Sequence, residues 1–176
     1  MSERLYYEDL QVGDRWVSPT RTITEADVVN FAGMTGDFNP LHVDREYAAG
    51  TPFRQPIAHG LLGLSWVAGL GSESPAVETM AFTSISKWEF VRPAFIGDTV
   101  HVVTKVDAKQ ESGRRCGQVT WLRQLVNQDN IPIQTGEFTT LVCTRAAADR
   151  KTRRDKAESE PQPGPKLHDA KLKKAE

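Results

Sequence analysis

The sequence predicts an α+β fold in which a curved antiparallel sheet wraps one long, buried helix. Residues 60–71, GLLGLSWVAGLG, are apolar on almost every side, which is typical of a buried helix. Four later segments alternate apolar and polar residues with the period of a strand. An amphipathic helix precedes both features. Helices followed by a run of antiparallel strands indicate the α+β class.

The first helix is predicted between Thr24 and Gly36. Thr24 with Asp27 three residues later comes close to a capping box, which marks a helix N-terminus. Gly33 and Gly36 are expected to end the helix. The face that should be buried consists of Val28, Phe31 and Ala32.

The segment 46–60 is expected to be irregular, because Pro52 and Pro56 interrupt it. The apolar helix then begins at Gly60. Its glycines, Gly60, Gly63 and Gly69, lower the helix propensity. We expect them to let the sheet approach the helix closely.

The sheet is predicted from segments 81–93, 98–109, 116–128 and 136–146, with a further strand within 14–23. Turn-forming residues separate these segments. The predicted inward faces consist of Phe82, Trp88 and Phe90; Val100, Val102 and Val106; Val119, Trp121 and Leu125; and Phe138 and Val142.

Composition divides the chain near residue 148. Residues 149–176 hold nine Lys or Arg against six Asp or Glu and no aromatic residue, so this segment nets +3. Such a segment cannot bury enough apolar surface to offset its ordering entropy. A single domain over 1–148 and a charged, disordered tail over 149–176 are therefore predicted. A basic tail can tether a protein to RNA or a membrane, but a solvated tail without a specific partner is the preferred interpretation.

Charge and cysteine usage narrow the possible partners and location. The formal net charge is −1, which gives no overall field for nucleic acid or an anionic membrane. No apolar run reaches the roughly 18 residues of a membrane-spanning helix, and the N-terminal residues do not resemble a signal peptide. Cys116 and Cys143 are too few for a disulfide framework and too scattered for a zinc site. A cytoplasmic location is predicted.

Residues 35–44, TGDFNPLHVD, place an acid and an imidazole on one loop. Fully extended, the five residue steps from Asp37 to His42 would span roughly 17 Å, which is too far for both to act on one water. Asn39 and Pro40 favour a turn that brings the two side chains together. An ionised Asp and a neutral His can hold a water and move protons in either direction. The alternative is that these residues only build a turn.

Residues 31–44, FAGMTGDFNPLHVD, followed by residues 56–65, PIAHGLLGLS, resemble the MaoC-like, (R)-specific enoyl-CoA hydratase family. Residues 6–16 and 90–100 are similar to this family as well, so the resemblance covers roughly residues 5–145. It implies the hot-dog fold, in which a curved antiparallel sheet wraps a central helix. An overhanging helix and loop would carry the active site.

The resemblance implies hydration of trans-2-enoyl-CoA thioesters to 3-hydroxyacyl-CoA, or the reverse dehydration. Asp37 would be the base that activates water, and His42 would share that water and carry the proton to C2. The N–H of Gly60, at the start of the apolar helix, would stabilise the negative charge on the thioester oxygen. Coenzyme A is part of the substrate, and no metal or other cofactor is implied.

The resemblance also implies that Asn39, His59, Ser65 and Ala68 contribute to the substrate site. His59 is expected to bond the backbone rather than to take part in catalysis directly. Some members of the family carry a serine where this chain has Ala68, and Ser65 lies about one turn earlier. The missing hydroxyl is expected to affect the reaction rate or the substrate preference rather than the pair of Asp37 and His42.

A single unit of this size leaves one sheet edge and one side of the helix open, and in this family two units pair. A homodimer is therefore expected. Two alternatives to the hydratase remain open: a hot-dog acyl-CoA thioesterase and a non-catalytic subunit that binds acyl thioesters.

Overall fold

A six-stranded antiparallel sheet packs against one helix in the computed structural model, which describes residues 4–150. The strands are β1 (Arg15–Val17), β2 (Arg21–Thr22), β3 (Thr79–Phe90), β4 (Thr99–Ser112), β5 (Cys116–Val126) and β6 (Pro132–Cys143). The helices are α1 (Glu25–Thr35), α2 (Pro40–Val43), α3 (Arg45–Ala49) and α4 (Gly60–Leu70). The strand order is β1-β4-β5-β6-β3, and β2 also pairs with β4. Strand β3 therefore forms one edge of the sheet, and the predicted α+β class is confirmed.

The inward faces of β4, β5 and β6 form the core as predicted. Val102, Trp121 and Phe138 are at most 2% exposed. Strand β3 differs from the prediction, because Phe82 is 53% and Phe90 54% exposed. Three register shifts interrupt the pairing of β3 with β6, and no strand covers its outer edge within residues 4–150. These aromatic side chains therefore lie at the border of the core.

Helix α1 begins at the predicted capping box. The side chain of Thr24 accepts a hydrogen bond from the N–H of Asp27 at 3.2 Å, and the carboxylate of Asp27 accepts one from the N–H of Thr24 at 2.8 Å. The helix ends at Gly36, which has the left-handed φ of 80° that glycine adopts without strain. Gly33 was expected to help end the helix, but it lies inside α1. The predicted buried face of α1 is confirmed.

Helix α4 is buried on one face only. Leu62, Trp66 and Val67 are at most 8% exposed, whereas Leu61 on the opposite face is 60% exposed. The prediction of a helix buried all round is therefore wrong for a single chain, because the sheet covers one side of α4 and nothing within residues 4–150 covers the other. None of the helices in this range combines the length and apolarity that crossing a membrane requires.

Two of the three α4 glycines permit a close approach, as expected. A Cβ on Gly63 would lie 2.2 Å from Nε2 of Gln134, and a Cβ on Gly60 would lie 2.8 Å from Cε1 of Phe90. The expectation is wrong for Gly69, where a Cβ would meet nothing within 4 Å. The close approach is thus concentrated in the first turn of α4.

Two further predictions concern segments outside the sheet. Residues 46–60 were expected to be irregular, but α3 occupies their first part because the Asp44 side chain caps it by accepting from the N–H of Tyr47 at 3.0 Å. The predicted tail, 149–176, lies outside the described residues except for its first two positions. These two continue a helical turn over residues 145–150.

The replacement Gly63→Ala should destabilise the protein by about 1–3 kcal/mol, because the new methyl group overpacks the buried Gln134 side chain. Gly69→Ala is the matched control in the same helix. Its methyl group meets open space, so it should be neutral or should stabilise the helix by up to about 1 kcal/mol.

Chemical denaturation of both variants measures the difference in the free energy of unfolding. Equal effects of the two replacements would contradict the close packing of Gln134 on Gly63.

Candidate active site

The bend between Asp37 and His42 is a short helical turn. The side chain of Asn39 caps α2 by accepting a hydrogen bond from the N–H of Leu41 at 3.0 Å, and Pro40 occupies the first helical position. Proline suits this position because its missing N–H would have no partner there. The side chain of Asn39 is therefore engaged in building the turn, and His42 is presented from its third residue.

Two imidazoles connect this loop to the start of α4 in opposite directions. Nδ1 of His42 lies 2.7 Å from the carbonyl oxygen of Ile57. Nε2 of His59, the residue before α4, lies 2.9 Å from the carbonyl oxygen of Asp37. Because a carbonyl oxygen only accepts, the ring nitrogen that faces it carries the hydrogen. Nε2 of His42 is then left with a free lone pair in the neutral ring.

His59 supports the ring of His42 from behind. The two rings stack with their centroids 3.8 Å apart. The ring of Phe31, on α1, has its centroid 5.1 Å from that of His59. His59 is only 3% exposed, and its Nδ1 has no hydrogen-bond partner within the described residues. The backbone bond expected of His59 is present in the structure.

Asp37 stands at the solvent-accessible side of this group. Its side chain is 54% exposed, and its Oδ1 accepts a hydrogen bond from the N–H of Asn39 at 3.3 Å. One carboxylate oxygen of Asp37, one nitrogen of His42 and one nitrogen of His59 lie within 4.8 Å of one another. Two hydrogen bonds through one water bridge such a gap. The loop therefore brings the predicted acid and imidazole to a common point.

Carboxylate and imidazole groups are also metal ligands, so the same three side chains require a test as a metal site. Nδ1 of His42 and Nε2 of His59 each face a carbonyl oxygen and are N–H donors. Either nitrogen would have to give up its hydrogen bond to the backbone before it could bind a metal ion. This arrangement favours proton transfer over metal binding.

A cleft of about 530 Å³ opens beside the dyad. His42 and Gly60 both lie on its wall, together with Phe90, Arg92 and Gln134. Gly60 begins α4, and no group in residues 4–150 forms a hydrogen bond with its N–H. The first N–H groups of a helix lack intrahelical acceptors and carry the positive end of the helix dipole. The cleft thus presents a donor and a potential base to the same space.

Sequence reasoning missed Gln134 and Phe90 in this cleft. The side-chain Nε2 of Gln134 donates to the carbonyl oxygen of Gly60 at 3.0 Å, although the two residues are 74 positions apart. Gln134 is 3% exposed. No sequence pattern marked it, because Gln134 precedes the predicted strand segment 136–146 and its amide meets Gly60 only in the folded chain.

The remaining predicted substrate positions lie away from the cleft in this chain. Ser65 is on the exposed face of α4, and its Oγ donates to the carbonyl oxygen of Leu62 at 2.7 Å. Ala68 is on the same face and lines a different cavity near the C-terminal end of α4. Neither Asn39 nor His59 is on the cleft wall. Substrate contact by these four residues stays a prediction.

Comparison with known proteins identifies a family model described as MaoC like domain, which matches residues 11–126. The chain is 37% identical over 102 residues to the (R)-specific enoyl-CoA hydratase of Rhodospirillum rubrum, covering 57% of this chain and 69% of that protein. It is also 37% identical over 99 residues to Protein MaoC of Klebsiella aerogenes. That match covers 56% of this chain but only 30% of the longer relative.

Solved structures agree in fold. A monoamine oxidase regulatory protein from Archaeoglobus fulgidus superposes with a TM-score of 0.74 at 36% identity, covering 80% of this chain and 95% of that one. A Mycobacterium tuberculosis protein described as having a double hotdog fold superposes with a TM-score of 0.71 at 18% identity. The match covers 92% of this chain and 47% of the other, so this chain corresponds to one half of a double hot-dog. The predicted hot-dog fold is confirmed.

In their neutral forms the two imidazoles should adopt opposite tautomers. His42 should carry its hydrogen on Nδ1 and His59 on Nε2, because those nitrogens face carbonyl oxygens. Long-range ¹H–¹⁵N correlation spectra distinguish the two forms, with the half-buried ring of His101 on β4 as a reference. An Nε2–H tautomer at His42 would contradict the free lone pair that the dyad requires.

Proposed function

The chain belongs to the family of MaoC-like domains, and we propose that it interconverts trans-2-enoyl-CoA thioesters and (R)-3-hydroxyacyl-CoA. The observation that carries this proposal is the position of His42, which neighbours the carboxylate of Asp37 and lines the same cleft as Gly60. The carboxylate of Asp37 lies within 4.8 Å of an imidazole nitrogen of His42, and the cleft wall beside His42 holds the unpaired N–H of Gly60. Hydration of a conjugated thioester requires these groups: a base, a proton carrier and an oxyanion donor.

The proposed reaction begins with a water held between Asp37 and Nε2 of His42. The carboxylate takes a proton from this water while the water oxygen forms a bond to C3 of the enoyl group. The proton on Asp37 then passes to Nε2 of His42 and from there to C2 as the enolate collapses. Both side chains therefore return to their starting protonation states. In the reverse direction the same groups remove the C2 proton and release water.

The N–H of Gly60 is the proposed donor to the thioester oxygen. Negative charge develops on that oxygen when water adds to C3, and a helix N-terminus stabilises such charge. The side chain of Gln134 supports this role, because its bond to the carbonyl of Gly60 fixes the first turn of α4. The lack of a Cβ at Gly60 accommodates the ring of Phe90 on the cleft wall.

We further propose that no metal or separate cofactor takes part, since water and the thioester supply every atom that is transferred. Coenzyme A enters as part of the substrate. Arg92 on the cleft wall carries a positive charge at the rim, where the phosphates of coenzyme A could pair with it.

We propose that two chains pair through the edge strand β3 and the open face of α4. Ile85 on β3 is 40% exposed and Leu61 on α4 is 60% exposed, so both the unpaired strand and the open helix face expose apolar side chains. Exposed apolar surfaces mark interaction sites, and the unpaired N–H and C=O groups of an edge strand can bond to a strand of another chain. The double hot-dog neighbour supports this pairing, because its chain holds about twice the length matched here.

The dyad assignment predicts that Asp37→Asn lowers the hydration rate by about 100-fold or more, since it removes the base while keeping the shape. His42→Ala should cause a similar loss. The double variant should lose little beyond either single variant, because both residues serve one water. Loss of the conjugated thioester absorbance measures the rate.

Asp107→Asn, on the exposed part of β4, is the control for removing a carboxylate and should leave the rate unchanged. Near-normal turnover by a folded Asp37→Asn or His42→Ala variant would overturn the dyad.

The proposed pairing predicts a dimer in sedimentation experiments at micromolar concentration. Ile85→Lys should dissociate it, because pairing would bury the new charge in an apolar surface. Val29→Lys replaces a similarly exposed apolar residue on α1, which is 49% exposed, and should leave the dimer intact. A wild-type monomer, or an equal effect of both replacements, would contradict pairing through β3.

A further inference from the structure

A second cavity lies at the other end of α4. It has a volume of about 270 Å³, and its walls include Ala68, Phe82, Trp121, Arg123, Phe138 and Thr140. Most of these groups are apolar or aromatic. Arg4 and Glu73 also lie on the wall and pair with each other at 3.9 Å. The guanidinium of Arg123 is the buried charge of this cavity.

Arg123 is a buried cation with no carboxylate partner within the described residues. It is 9% exposed, and its Nη atoms donate to the carbonyl oxygens of Gly71 at 3.1 Å and Val67 at 3.4 Å. Its Nε has no partner. Burial lowers the pKa of Arg123 to about 10, so the side chain remains charged at neutral pH. The carbonyl oxygens at the end of α4 compensate this charge only in part.

Thr140 adds a second donor to the same cavity. Its Oγ1 accepts a hydrogen bond from Nε1 of Trp121 at 2.9 Å, and Thr140 is 6% exposed. The hydroxyl hydrogen therefore remains for another acceptor, and no acceptor for it is found within residues 4–150. A cation and a hydroxyl donor among apolar walls match the chemistry of a carboxylate attached to an aliphatic chain.

The two cavities are bordered by the same three elements, α4, β6 and β3. Helix α4 contributes Leu61 to the first and Ala68 to the second, and β6 contributes Gln134 and Phe138 in the same way. Seven residues of helix rise by about 10 Å, and four residues of strand by about 13 Å. Phe90 and Phe82 of β3 border the same two cavities. The ring of Trp88 packs on Gly136 and Phe138 between these β6 positions. An acyl chain that joins the two cavities would therefore run over the exposed face of α4, past Ser65.

We propose that the cavity at Arg123 binds a carboxylate, carried by the distal end of the acyl chain or by a free dicarboxylic acid. The spacing of the two cavities favours the acyl chain, in which case the substrates are ω-carboxyl enoyl thioesters. This inference rests on the proposed function for the identity of the thioester, but the carboxylate site itself does not.

Calorimetric binding of suberyl-CoA and octanoyl-CoA tests the site without catalysis, since both thioesters are saturated and cannot be hydrated. They differ only in the distal group. We expect suberyl-CoA to bind roughly tenfold to a hundredfold more tightly, which is the contribution of a charge-assisted hydrogen bond. Free suberate forms the second arm: tight binding of suberate alone identifies a free acid as the ligand, and binding only as the thioester identifies the acyl chain.

The replacement Arg123→Met should abolish the preference for suberyl-CoA while leaving octanoyl-CoA binding within about threefold. Because this variant also removes the hydrogen bonds to the end of α4, Thr140→Val provides an independent test, with Thr140→Ser as its control. Thr140→Val should weaken suberyl-CoA binding and Thr140→Ser should not.

Equal affinities of the wild-type protein for suberyl-CoA and octanoyl-CoA, with no binding of suberate, would overturn the proposal. A preference that survives Arg123→Met would overturn it as well. A protein that prefers suberyl-CoA but hydrates no enoyl-CoA would retain the carboxylate site and disprove the proposed function.

Discussion

The candidate site depends on a reciprocal pair of imidazole-to-carbonyl hydrogen bonds. His42 donates from the loop to Ile57 ahead of α4, and His59 at the start of α4 donates back to Asp37 in the loop. These two bonds hold the dyad and the N-terminus of α4 in one orientation and fix both tautomers. The two rings stack, and a ring nitrogen of His42 lies within 4.8 Å of the carboxylate of Asp37. Without this connection the base and the oxyanion donor would lie on separate elements with no fixed geometry.

Local sequence patterns predicted the features that depend on residues close together in the chain. The capping box at Thr24 and the alternation that buries Trp121 both depend on neighbouring residues, and both were predicted correctly. The bond from Gln134 to Gly60 was missed, because it joins elements 74 residues apart and no short-range pattern encodes it. The prediction that α4 is buried on every side is wrong for a single chain, in which one face of the helix stays exposed. Apolarity reports that a surface avoids water, but not which molecule covers it.

The open face of α4 and the edge strand β3 connect the two proposals. Their exposed apolar residues support pairing of two chains, and the same face of α4 runs from the dyad cleft to the cavity at Arg123. A partner on this face would exclude water from both cavities and strengthen the electrostatic interactions within them. The buried guanidinium would then select the distal group of the acyl chain, while the dyad acts on its proximal double bond. In this account substrate choice and chemistry lie at opposite ends of one helix.

Reaction of the wild-type protein with crotonyl-CoA in oxygen-18 water tests the central claim most directly. Addition of water by the dyad predicts (R)-3-hydroxybutyryl-CoA with the label on the C3 hydroxyl and the thioester intact. Crotonyl-CoA lacks the distal carboxylate, so slow turnover is compatible with the account provided that the label appears at C3. Free coenzyme A with label in the carboxylate would indicate thioester hydrolysis, and bound but unchanged crotonyl-CoA would indicate a non-catalytic subunit. Either of these results would contradict the account.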